Sequence, residues 1–104
     1  MKSKDIYVLW LAAKNESFTI TAIGLALGLH WTAVDKLLLD AGLVDKSETP
    51  KKSVINENGK NHSHFGKWFY SAVKILANEN NLTISLPTDK EYNDAVYELF
   101  GKRN

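Results

Sequence analysis

Apolar residues along this chain recur mostly at helical spacing, interrupted by short polar stretches. Ile6, Leu9, Trp10 and Ala13 fall at i, i+3, i+4 and i+7, with Tyr7 and Leu11 flanking them. They predict a first helix over 4–14, with Ser3 as N-cap and Asp5 in the first turn, where the helix dipole favours an acid. Asn15 to Ser17 break the pattern, and Phe18 and Ile20 bracket Thr19 in a short extended lead-in. Thr19 or Thr21 then caps a helix over 21–27, in which Ile23 and Leu27 lie four apart. Gly28 sits where the chain must turn, because glycine takes positive φ at little steric cost. Leu29 points back to the core, and His30 or Trp31 opens a helix running to about Ala41 and ended by Gly42. Val34, Leu37, Leu38 and Ala41 are its apolar stripe, and Gly24 is small where the two helices cross. That order is the one a helix-turn-helix needs, although any tight pair of core helices can produce it.

Beyond Gly42 the pattern shortens. Leu43-Val44 and Val54-Ile55 flank the polar segment DKSETPKKS, where Pro50 forces Thr49 out of the helical region. Two apolar pairs around a basic loop predict a small β-hairpin, the wing of a winged helix, with the wing itself at 45–53. Asn58-Gly59 marks a turn within the loop Asn56 to Ser63. Phe65 to Tyr70 reads as strand or helix, but Phe69, Ala72, Val73, Leu76 and Ala77 make a helix face, so a helix over about 68–79 is expected. LTISL at 82–86 alternates like a half-buried strand and Pro87 stops it. Thr88 and Glu91 form a capping-box signature before a stripe of Tyr92, Ala95, Val96, Leu99 and Phe100, which Gly101 ends. The stripe reads as core cover, with a homodimer contact as the alternative. The fold class expected is mainly α with a small β-hairpin (α+β), a winged helix-turn-helix. The whole chain, 1–104, forms one domain with a C-terminal helical extension.

Length and charge narrow the functional classes. A chain of 104 residues has room for one core. It holds no cysteine, which removes disulfides, thiolate nucleophiles and the usual structural zinc sets, and fits a reducing compartment. The apolar run Ile6 to Ala13 is too short to span a bilayer and is closed by Lys14, Asn15 and Glu16. It also lacks the flanks of a secretory signal, so a cytoplasmic protein without a membrane partner is expected. The formal net charge is only +1, but residues 46–67 carry net +3 while the segments on either side are each −1.

Candidate chemistry collects at two places. If Val34, Leu37 and Leu38 are buried, the second helix of the motif exposes His30, Trp31, Thr32, Asp35 and Lys36. His30, Thr32 and Lys36 can hydrogen-bond bases or phosphates in a major groove, and Asp35 can accept from a cytosine amine. Trp31 also fits a protein-contact anchor. The second place is Lys46, Lys51, Lys52 and Lys60, read as a wing and its extension gripping phosphates, or else as a solvated loop. The phosphate reading is preferred because no other segment is basic. His62-x-His64 without cysteine is a weak metal signal, and no metal or other cofactor is expected. No phosphate-cradling glycine loop, nucleophile elbow or paired carboxylates stand out, so an enzyme is not expected.

The stretch TAIGLALGLHWTAVDKLLLDAGL resembles the helix-turn-helix of the C-terminal domain of phage antirepressors, the KilA-C type. The matching residues are Thr21, Ile23, Gly24, Leu27, Gly28, Leu38, Gly42 and Leu43. Downstream, Glu57, Gly59 and Lys60 of VINENGKNH match the Thr-Glu-Lys-Gly-Lys segment of such domains, with Asn56 and Asn58 departing from it, and Trp68 also fits. The likeness covers roughly 19–76. It implies a phage or prophage regulator with a winged-helix DNA-binding fold, a recognition helix at about 31–41 and double-stranded DNA as partner. The alternative is an antirepressor-like module that binds a host protein through the same fold.

Overall fold

The computed structural model describes residues 1–41 and 67–101. The described residues form five helices: α1 (Ser3–Asn15), α2 (Ile20–Leu27), α3 (Trp31–Asp40), α4 (Tyr70–Glu79) and α5 (Asp89–Phe100). Among the described residues the only β pairing is one isolated antiparallel bridge, Phe18 with Trp68. The expected α+β winged helix-turn-helix is therefore corrected: among the described residues the architecture is helical, with no strand or β-hairpin. The segment 45–53, read as the wing, lies outside the described residues. The flanking pairs Leu43-Val44 and Val54-Ile55, read as its strands, lie outside them as well.

The core forms where the helical stripes converge. Leu9 and Ala12 of α1, Ile20, Ile23 and Leu27 of α2, Val34 and Leu38 of α3, and Ala72, Val73, Leu76 and Ala77 of α4 are all buried together. Each large aliphatic side chain so placed contributes about 1.5–3 kcal/mol relative to exposure. Phe18 and Trp68 complete the cluster from the two sides of the bridge. Their backbones exchange hydrogen bonds in both directions, 2.9 Å from the Phe18 amide and 2.8 Å from the Trp68 amide. That pairing holds residue 68 out of the helix, so α4 starts at Tyr70 rather than at 68, with Phe69 extended as its N-cap.

Two other sequence expectations shift. The N-cap of α1 is Lys2, not Ser3, and it makes no side-chain cap. LTISL is not a strand. Leu82 and Ile84 do turn inward and pack on the core, as alternation requires. Yet the segment joins no ladder: the Ser85 amide donates to the Ala26 carbonyl at the end of α2 (2.8 Å). The alternation is satisfied by a helical surface instead of a sheet face.

α5 docks on α1 through rings. Tyr92 stacks on Trp10 with centroids 3.8 Å apart and on Tyr7 at 5.8 Å. Phe100 meets Tyr7 edge-on at 5.5 Å. The Trp10 indole N–H donates to Asp89 Oδ1 (3.0 Å), fixing the first turn of α5 against α1. Ala95 and Val96 are buried, whereas Leu99 and Phe100 stay exposed, so the predicted stripe is only partly used. The capping box is present as expected. The Glu91 amide donates to Thr88 Oγ1 (3.1 Å) and the Thr88 amide to Glu91 Oε1 (3.0 Å). Thr88→Ala removes one half of it and is expected to cost about 1 kcal/mol. A thermal scan should show the midpoint falling by roughly 4–8 °C. An unchanged midpoint would mean that ring stacking alone holds α5.

Candidate nucleic-acid interface

The candidate site is the corner made by α2 and α3. Thr19 caps α2, its Oγ1 accepting the Ala22 amide at 3.1 Å. Along α2, Ile20, Ala22, Ile23, Gly24, Ala26 and Leu27 are buried, so this helix serves as a support rather than a reading surface. Gly28 ends it in the left-handed region, φ 73° and ψ 34°, where a glycine was expected on conformational grounds. The Leu29 amide then donates back to the Gly24 carbonyl (2.8 Å). A Cβ on Gly24 would collide with the Leu29 carbonyl oxygen and touch Val34 Cγ2 at 3.5 Å. The small residue is thus required by the turn backbone, and only secondarily by the facing helix.

The chain leaves this turn with α3 bent 97° from α2, within the range of helix-turn-helix motifs. His30 is the N-cap of α3. Its Nδ1 accepts the Thr32 amide at 3.3 Å and lies 2.9 Å from Thr32 Oγ1. The Trp31 ring lies beside the imidazole, centroids 5.7 Å apart. Val34 and Leu38 face inward with no exposure, and Leu37 and Ala41 pack on the core's edge. The outer face is then fixed by helical geometry: Trp31, Thr32, Lys36, Leu39 and Asp40 are exposed. Thr32 and Lys36 lie one turn apart on it.

Of the residues named from the sequence, His30, Trp31, Thr32 and Lys36 come together, exposed, over the first turns of α3. Asp35, expected to be exposed with them, is half-buried, one turn beyond Trp31 and Thr32. Lys46, Lys51, Lys52 and Lys60, with His62 and His64, lie outside the described residues. Leu39 was missed: it is 37% exposed on the outer face. Its signal was legible, since of three consecutive leucines it alone falls off the Val34–Leu38 stripe.

No helix among the described residues is long and apolar enough to cross a membrane, and the α2–α3 pair that passes by composition is sharply bent. Searches against protein-family models, curated proteins and solved structures found no match to this chain.

Proposed function

We propose that this chain is a DNA-binding regulator of the phage or mobile-element type, with the N-terminal turns of α3 entering the major groove. The observation that carries the reading is the α2–α3 corner. A buried support helix, a glycine turn and a 97° bend set α3 so that its outer face carries polar, donor-bearing side chains. A groove-reading helix needs that arrangement: one face committed to the core, the other free, and its first turns unobstructed. The likeness of 19–76 to phage antirepressor domains supports the same reading from the sequence. Double-stranded DNA is the partner proposed.

The test is gel retardation with random duplex DNA across a salt series. Retardation that weakens steeply with salt is expected, since neutralised phosphates release counterions. Lys36→Glu should flatten the slope of log affinity against log salt by about one or more. No retarded band at low salt would overturn the proposal.

One observation favours a second reading, a module that binds a host protein. Trp31 is 41% exposed, and on α3 the acids Asp35 and Asp40 outnumber Lys36. An exposed tryptophan amid mixed charge is a common interface anchor. A stoichiometric host partner lost on Trp31→Ala, with no DNA affinity in the parent protein, would decide for it.

A further inference from the structure

The geometry points to His30 as a specificity-determining residue that offers a single N–H donor to guanine in the major groove, an assignment that rests on the DNA-binding reading above. The Thr32 backbone amide is a donor only, so the nitrogen it faces, His30 Nδ1 at 3.3 Å, must supply a lone pair. The Thr32 hydroxyl, 2.9 Å from the same nitrogen, can rotate its proton toward it and reinforces that role. With Nδ1 committed as the cap acceptor, the proton of the neutral ring resides on Nε2. Hydrogen bonds to Thr32 and the neighbouring Trp31 ring restrict how the imidazole can turn. His30 is itself exposed, so Nε2–H is available at the leading end of α3.

A fixed donor with no acceptor beside it on the same ring selects among base edges. Guanine presents two adjacent acceptors, N7 and O6, and thymine a single acceptor, O4, beside its methyl group. Adenine presents an N7 next to an amino donor that repels an N–H, and cytosine a donor, so guanine offers a lone N–H the widest acceptor edge. One residue thereby both starts the helix and reads a base. The two tasks use opposite nitrogens, and the first fixes the tautomer needed for the second.

His30→Ser separates them, because serine is a good N-cap but cannot reach a base edge as the imidazole does. The experiment selects binding sites from a random duplex pool with the parent protein and with His30→Ser, and records the ring nitrogens of the parent by NMR. The expected results are three. The ring carries its proton on Nε2. The parent selects a guanine at one position of the bound site. The variant loses that preference by about fivefold to tenfold while its helical circular dichroism matches the parent's. A proton on Nδ1, or a variant that binds duplex with the same guanine preference, overturns the assignment and leaves the DNA reading standing. Failure of the parent protein to bind any duplex at low salt overturns both.

Discussion

Trp68→Ala should remove about 3–5 kcal/mol of stability, the largest single loss expected in this chain. Trp68 is 1% exposed and is the largest of the fully buried side chains. Its backbone is paired in both directions with Phe18, so the void cannot easily be closed by moving the segment. A cavity in a pinned wall retains more of its volume, and the cost rises with that volume. The indole N–H of Trp68 has no hydrogen-bond partner among the described residues. Truncation therefore forfeits transfer and packing energy but no hydrogen bond. That orphaned group also predicts the ordering of variants. Trp68→Phe leaves a smaller void and removes a buried donor that itself costs about 1–3 kcal/mol, so it should be far milder than alanine. Urea denaturation of the two variants against the parent checks this. Equal losses, or an alanine variant within about 1 kcal/mol of the parent, would show that the site collapses freely.

Gly24→Ala should cost about 2–3 kcal/mol, against the direction of helix propensity. Alanine at a mid-helix position is ordinarily favoured over glycine by about 1 kcal/mol. Here the added methyl meets the Leu29 carbonyl, a backbone atom that cannot swing aside as a flexible side chain would. Relief requires displacing the turn, which stretches the hydrogen bond from the Leu29 amide to the Gly24 carbonyl and tilts α3. Gly28→Ala is the control. It has open space around its Cβ but a φ of 73°, so its penalty is one of backbone conformation, about 1–2 kcal/mol, without displacement of α3. Urea midpoints should rank Gly24→Ala below Gly28→Ala. Under conditions where both remain folded, the duplex retardation proposed above should suffer more in the Gly24 variant. A reversed order would mean that the corner yields at Leu29 and that the crossing is looser than the geometry requires.

What the sequence made legible is what local chemistry decides. Gly28 had to turn because nothing else near it could. Thr88 and Glu91 announced a helix start because their side chains complete one another's backbone. The inner stripe of α3 followed from a period of 3.6, and with it the exposed set His30, Trp31, Thr32 and Lys36. What failed depended on partners distant in the chain. Residue 68 belongs by periodicity to α4, but the bridge to Phe18, fifty positions earlier, claims it. LTISL alternates correctly, yet alternation cannot say whether the apolar side meets a sheet or helices. The stripe of α5 looked continuous through Phe100, but docking by rings on α1 leaves Leu99 exposed and Phe100 touching Tyr7 only by an edge. In each case an unbiased local preference was resolved by tertiary packing, which no window of sequence contains.

The division of α3 between its two sides has an evolutionary consequence. Val34 and Leu38 secure the helix from within, while Lys36 and Leu39 on the outer face contribute little to holding it in place. Exchanges on that outer set should alter folding by only about half a kcal/mol either way. Lineages descended from such a chain could therefore drift to new targets through a few codons, without passing through unstable intermediates.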